Sequence, residues 1–265
     1  MVYYRGDQML KIIINGCYGK MGKVLAQEIE LDDDVQVVAG IDRKIQEVRN
    51  PFPVYDNIFN CKEKADVIID FSRPDALEGL LGYAVSNNTP LVIATTGLSK
   101  QDIENIIETS KKVPIFQSAN MSLGINVLIK LAQTASKIIG NFADIEIVER
   151  HHNLKIDSPS GTAYLIADKI NSSLNSPKEY IFGRHTKTEK RKKEEIGIHA
   201  IRGGTIVGDH TVIFACNDEI IEISHSAASK NIFALGAIKA AKFIVNKKAG
   251  LYNMDDLIEN FKYSF

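Results

Sequence analysis

The chain has 265 residues, 45% hydrophobic and 25% charged, enough to bury a substantial core in one large domain or two modest ones. Its formal net charge of -1 and pI near 6.6 give no global attraction to nucleic acid or to an anionic membrane. Cys17, Cys61 and Cys216 are odd in number and lack a C-x-x-C spacing, so they read as free thiols of a reducing compartment, with neither a disulfide frame nor a metal site expected.

The opening MVYYRGDQ lacks the apolar middle of a signal peptide, and no later stretch reaches the length of a bilayer span. The periodic pattern starts after Met9, a candidate physiological start, and a soluble cytoplasmic protein is expected. Ile12 to Ile14 reads as a strand, followed by a helical pattern from Lys20 to about Glu30. VQVVAGID (Val35 to Asp42), DVIIDFS (Asp66 to Ser72) and PLVIATT (Pro90 to Thr96) are apolar on both faces, as buried parallel strands are. Between the last two, DALEGLLGYAVSNN is helical from just after Pro74; QDIENIIETSKK adds a helix and VPIFQSAN a strand. Strands alternating with helices of this length predict an α/β fold with a doubly wound parallel sheet.

The second half reads differently. A helix from about Gly124 to Ile139 precedes DIEIVERHH, and SGTAYLIADKI is helical. IGIHAIRGG, HTVIFAC and EIIEISHSA then follow as β-rich runs with no helix between them, which predicts a mixed or antiparallel sheet. The charge run KTEKRKKEE (Lys187 to Glu195) reads as a solvated loop, and from about Asn231 the chain returns to helices.

Directly after the first strand, Gly16, Gly19 and Gly22 sit three apart. At a strand–turn–helix junction such glycines let a pyrophosphate approach the backbone and the positive end of the helix. The pattern is a variant, because the usual G-x-G-x-x-G places glycine where Tyr18 stands. Asp42 follows Gly22 by twenty residues at the end of the next strand, where a carboxylate accepts the adenosine ribose hydroxyls. Arg43 and Lys44 come next and can pair with a 2′-phosphate, so NADH and NADPH both remain open. Thr95, Thr96 and Gly97 end one strand and Ser118 to Ser122 the next, positions that line a nicotinamide pocket, with Asn120 a candidate for the carboxamide. Cys17 lies within the glycine loop, which predicts inhibition by a thiol reagent.

ERHHNLKIDSPSGTA (Glu149 to Ala163) carries two histidines, a lysine and a Ser-Pro-Ser-Gly-Thr helix start. Ser160 is a natural N-cap, and the Gly161 and Thr162 amides at the helix N-terminus suit a carboxylate. Lys155 supplies charge to a dianion or a proton to a developing carbanion or nitrogen. His151 and His152 face opposite sides if the segment is extended, so they do not chelate one ion together.

This segment resembles the signature of the 4-hydroxy-tetrahydrodipicolinate reductase family, E-x-H-H-x-x-K-x-D-x-P-S-G-T-A, at every defined position. GCYGKMG, DFSRP, ATTG, SANMSLGINV and IRGGTIVGDHTVIFA are similar to further family segments, in order, from Met9 onward. The resemblance implies NAD(P)H-dependent reduction of a cyclic imine dicarboxylate in lysine and diaminopimelate biosynthesis. It implies a Rossmann-type dinucleotide domain over 1–122 and 231–265, and an α+β domain with a mixed sheet over 123–230 that binds substrate and builds a homotetramer. His151 matches the proposed acid/base and Lys155 the proton donor. His152, Lys155, Ser160, Gly161 and Thr162 match the substrate contacts. Gly16, Cys17, Tyr18, Gly19, Lys20 and Met21, with Asp42 and Arg43, match cofactor contacts, as do Ala94, Thr95 and Thr96 and Ser118, Ala119, Asn120 and Met121. Two departures stand out: Ala94 replaces a usual glycine, and Asn153 and Leu154 stand where many members carry Arg and His. The alternatives are another NAD(P) enzyme, such as an aspartate or homoserine dehydrogenase, and a non-catalytic dinucleotide sensor. A nucleic-acid binder has only the Lys187 to Lys193 run in its favour.

Overall fold

A computed structural model describes residues 9–45 and 50–262, so the reading of MVYYRGDQ lies outside the described residues. These residues fall into two compact units, one within Met1–Leu123 and Lys230–Phe265, the other Gly124–Ser229. No helix among them is long and apolar enough to cross a membrane.

The first unit alternates strand and helix as the sequence pattern predicts: β1 (Leu10–Asn15), α1 (Lys20–Glu30), β2 (Val35–Ile41), β3 (Val54–Tyr55), β4 (Val67–Asp70), α2 (Leu77–Asn87), β5 (Leu91–Ile93), α3 (Lys100–Ser110) and β6 (Pro114–Gln117). Successive side chains on a strand point to opposite faces, and β1 shows the result. Ile12 and Ile14 enter one core with Leu25 and Ile29 of α1, while Ile13 enters a second with Leu80 and Ala84 of α2 and Ile106 of α3. Both faces are covered, which is why these runs read as continuously apolar.

In the second unit, α4 (Leu123–Ile139) leads into β7 (Asp144–His151), α5 (Gly161–Asn171), β8 (Glu179–Phe182), β9 (Glu195–Arg202), β10 (Asp209–Ala215) and β11 (Ile220–Ser226). The sheet runs β11-β10-β7-β9-β8, with β7, β9 and β8 parallel and β10 antiparallel to both its neighbours, so it is mixed. Ile125, Leu128 and Ala132 of α4 and Ala163, Ile166 and Ile170 of α5 pack with Ile145 and Ile147 of β7 and Phe214 of β10. On β7 the buried positions are Ile145, Ile147, Glu149 and His151, so two polar residues continue an apolar stripe.

The chain then returns to the first unit with α6 (Asn231–Ile244), β12 (Gly250–Tyr252) and α7 (Met254–Lys262). The first sheet is parallel throughout in the order β12-β6-β5-β4-β1-β2-β3, and β12 pairs with β6.

Three findings correct or extend the sequence reading. β5 stops at Ile93, so Ala94 to Gly97 form a loop. The short strands β3, β8 and β12 were not anticipated. The run from Lys187 to Glu195 is not wholly solvated. Arg191 folds back with its side chain 16% exposed, reaching Asp144 at 2.7 Å and Glu146 at 3.0 Å. Glu195 opens β9 and takes Arg184 at 2.7 Å. The carboxylates of Asp144 and Glu146 on β7 draw the guanidinium in.

Candidate active site

Gly16 leaves β1 with φ +82, and a Cβ there would meet the Phe71 carbonyl oxygen at 2.9 Å. Gly22 faces a tighter limit: its Cβ would stand 2.1 Å from the Gly16 oxygen and 2.7 Å from the Cys17 Cα. The helix therefore lies directly on the loop. The loop amides are largely spent internally. Gly16 N and Cys17 N donate to the Ile41 carbonyl, Gly19 N to the Gly16 carbonyl, and Tyr18 N to Asp42 Oδ2 at 3.0 Å. Gly19 is the N-cap of α1 and offers no side-chain cap, whereas Ser99 and Asp102 cap α3 reciprocally. The exposed Lys20, the half-buried Met21 and the buried Gly22 open α1, whose first amides carry the positive end of its dipole.

A cavity of about 610 Å³ lies at this end of the sheet, lined in part by Gly16, Gly19, Asp42, Arg43, Ser72 and Arg73. Its place beyond the carboxyl ends of β1, β2 and β4 is the ligand crevice of an open α/β sheet. Arg43 is held 3.0 Å from Asp75, with both side chains largely exposed. Cys17 and Tyr18 line a separate cavity of about 500 Å³. The Cys17 thiol is 4% exposed, and burial together with the Asp42 charge pushes its pKa up to about 12. Both features argue against the sensitivity to thiol reagents expected from the sequence, because the thiolate is the reactive form.

Asp70, at the end of β4, was not anticipated. Its carboxylate is 1% exposed and accepts from Asn15 Nδ2 at 2.8 Å, Ser72 Oγ at 2.5 Å, Ser72 N at 3.1 Å and Thr95 Oγ1 at 2.7 Å. Burial raises its pKa even so. One carboxylate thus ties the ends of β1, β4 and β5. Ala94 and Thr95 are buried beside it, whereas Thr96 is exposed. Farther along, Ser118 Oγ donates to the Asn120 carbonyl at 2.8 Å and accepts Asn120 N at 3.2 Å. The Asn120 side chain turns inward, its Oδ1 accepting Ser122 N at 2.9 Å; Met121 is buried and Ala119 exposed.

In the second unit Glu149 is the centre. It is fully buried and accepts from four groups: His151 Nδ1 at 2.6 Å, Arg202 Nη1 at 2.8 Å, Arg202 Nη2 at 2.7 Å and Ser160 N at 2.9 Å. Burial pushes its pKa up, but Arg202, His151 and the Ser160 amide together hold the carboxyl below the usual range. Ser160 caps α5 as read from the sequence, its Oγ accepting Ala163 N at 3.2 Å. The same Oγ lies 3.2 Å from Nε2 of His210, whose ring stands edge-on to His151 at 5.3 Å. Burial, then the neighbouring His151, push the His210 pKa down to about 4.

β7 ends at His151, which is buried, while His152 is half-buried beyond it. Lys155 Nζ reaches both oxygens of Asp157, at 2.7 and 2.8 Å. The Lys155 ammonium is the chief cause holding the Asp157 carboxyl below its ordinary range, and the Gly161 N–H adds to it. So one carboxylate already sits against the Lys155 cation just before the start of α5. A Cβ on Gly161 would meet nothing within 4 Å. Glu149, Asp157 and Asp70 stand in quoted motifs, but sequence alone gives no sign of their partners. Arg202 and His210 come from distant strands.

Residues 10–121 match the family model "Dihydrodipicolinate reductase, N-terminus", and residues 124–258 match "Dihydrodipicolinate reductase, C-terminus". The chain is 55% identical over 251 residues to a 4-hydroxy-tetrahydrodipicolinate reductase of Caldanaerobacter subterraneus subsp. tengcongensis, covering 95% of this chain and 99% of that one. It is 48% identical over 252 residues to the enzyme of the same name from Clostridium novyi, covering 95% and 99%. Among solved structures, a dipicolinate-bound dihydrodipicolinate reductase from a Paenisporosarcina species shares the fold with a TM-score of 0.79 at 23% identity, covering 93% of this chain and 98% of that one.

Proposed function

The chain belongs to the dihydrodipicolinate reductase family, and from that premise we propose how its own residues carry the reaction. It is an oxidoreductase that reduces 4-hydroxy-tetrahydrodipicolinate to tetrahydrodipicolinate in lysine and diaminopimelate biosynthesis. Membership sets aside the aspartate and homoserine dehydrogenase alternatives.

A dinucleotide fits the first unit. The uncapped start of α1 receives its pyrophosphate and Asp42 takes the ribose hydroxyls, while Gly16 and Gly22 let the loop pack directly against β4's end and α1. Arg43 and Lys44 stand where a 2′-phosphate would lie, so both NADH and NADPH serve. When bound, the reduced nicotinamide supplies the hydride.

The second unit holds the substrate. The amides of Gly161 and Thr162, the Lys155 cation and the His152 ring bind the dicarboxylate. The observation that carries this assignment is the Asp157 carboxylate held by Lys155 close before the start of α5, where a substrate carboxylate takes its place. Cations beside the ring stabilise the charge that develops there as the ring is reduced. The 4-hydroxyl leaves as water, and Lys155 gives the proton that balances the hydride, directly or relayed by His151, whose Nδ1 is held by Glu149. The working form is a cytoplasmic homotetramer; Ile220 and Ile221 on the edge strand β11 are exposed apolar residues available to such an interface.

The test follows oxidation of NADH and of NADPH at the nicotinamide band, with substrate made in situ by a condensing synthase from pyruvate and aspartate semialdehyde. Wild type turns over with both nucleotides, and Lys155→Ala loses about three decades. Full activity in that variant would remove Lys155 from the chemistry. Sedimentation of the native protein checks the tetramer.

A further inference from the structure

We infer that Glu149 is a positioning residue: paired with Arg202, it holds His151, the Lys155 loop and the start of α5 in one register. This deepens, and rests on, the roles given above to His151 and Lys155.

The eight residues from His152 to Pro159 contain no strand or helix, yet they carry Lys155 and separate the two parts of the substrate site. Glu149 fastens both ends of this stretch. Its Oε2 takes His151 Nδ1 at 2.6 Å on one side, and its Oε1 takes Ser160 N at 2.9 Å on the other. Arg202 fastens the middle. While Nη1 and Nη2 grip the carboxylate, Nη2 also donates to the Asp157 carbonyl at 2.6 Å, two residues from Lys155. A planar guanidinium can serve several acceptors in fixed directions where an ammonium cannot.

Chemistry follows from the same bonds. An ionised carboxylate only accepts, so the proton of a neutral His151 must sit on Nδ1, leaving Nε2 as the nitrogen that gains and loses a proton. Nε2 lies beside Gly208, where an added Cβ would stand 2.9 Å away, so the chain keeps side chains clear of that nitrogen. The charged or titratable groups around the ring are Glu149, Arg202 on β9 and His210 on β10. A buried ion pair contributes little net stability compared with an apolar replacement. Its value here is orientation.

Glu149→Gln keeps length and shape but replaces one acceptor oxygen with an N–H2 among donors, so it can no longer hold His151, Arg202 and the Ser160 amide together. The expected result is a fall in kcat of about 100-fold, an unchanged KM for NADPH, and an acid limb of the kcat/KM profile moved to lower pH. Arg202→Lys keeps the charge but cannot reach both Glu149 and Asp157, so the expected effect is a raised KM for the dicarboxylate. Long-range 1H–15N correlation on the wild-type protein reads the His151 tautomer without any variant: a proton on Nδ1 is expected, and a proton on Nε2 overturns the proposal even if Glu149→Gln does not fold. An active wild type with an unaltered kcat and pH profile in Glu149→Gln overturns positioning alone. A wild type inert with either nucleotide overturns the reading beneath it.

Discussion

Asp70 Oδ2 accepts the Thr95 hydroxyl at 2.7 Å, joining the ends of two adjacent parallel strands where both residues are buried. Its other hydrogen bonds come from the neutral donors Asn15 and Ser72. Thr95→Val keeps the shape, removes the donor and leaves a buried carboxylate short of one hydrogen bond, at a cost of about 1–3 kcal/mol. Because the 94–97 loop loses its tie to Asp70 and, through it, to Asn15 at the end of β1, NADH affinity is expected to fall about tenfold (roughly 1.4 kcal/mol), with Thr95→Ser close to wild type. Titration of NADH fluorescence reads this without substrate, and equal affinity in all three proteins would show that the tie does not shape the nucleotide site.

Gly161 has open space where a Cβ would be. Nothing inside the protein requires a glycine at the first position of α5, and alanine is the better helix former. Gly161→Ala is therefore expected to melt no lower than wild type, while KM for the dicarboxylate rises at least tenfold because the methyl group obstructs the amides. Thermal melting and steady-state kinetics together decide it. A lowered melting temperature, or an unchanged KM, would remove the carboxylate from this helix end.

His210 sets a pH dependence of stability. Its folded pKa of about 4 lies below the ordinary 6.5, so between those values the unfolded chain binds a proton the folded chain refuses. Stability is full above pH 6.5 and declines as pH falls toward 4, by on the order of 3 kcal/mol. Denaturant titrations across this window should show a shallower slope in His210→Gln. Identical slopes would mean that His210 charges without penalty.

Cys17 should resist alkylation in the native protein, since the thiol is buried and its pKa stands near 12. Iodoacetamide at neutral pH is expected to leave Cys17 unmodified by mass spectrometry and turnover intact. In denaturant all three cysteines react. Native labelling of Cys17 with loss of activity would show that the glycine loop opens.

The sequence announces what depends on periodicity and local spacing. α1 from Lys20 to Glu30 and the N-cap at Ser160 lie where the pattern puts them, because amphipathic spacing and capping chemistry act within a few residues. β12 and β8 escape notice, being three and four residues long and drawing their stability from a neighbouring strand. The site divides the same way. Lys155, His151 and Gly161 are visible in one contiguous motif. Arg202 is invisible because it is placed by the pairing of β7 with β9, 53 residues away from Glu149. Arg191 misleads for a related reason: a cation in a polar run reads as solvated until its carboxylates on β7 are known.

The first unit's sheet is closed by chain from both sides of the second. α6 places Ala234, Ala237, Ala240 and Ala241 in the core formed by β1 and α1, and β12 pairs with β6. On a ribosome, the first 123 residues therefore emerge with a core that lacks one wall, and they wait while the whole second unit is made. Its mixed sheet and helices can complete themselves first, since its strands and core lie within Gly124–Ser229. Completion thus follows the order in which the two units end in the chain: the nucleotide-binding unit begins first and finishes last.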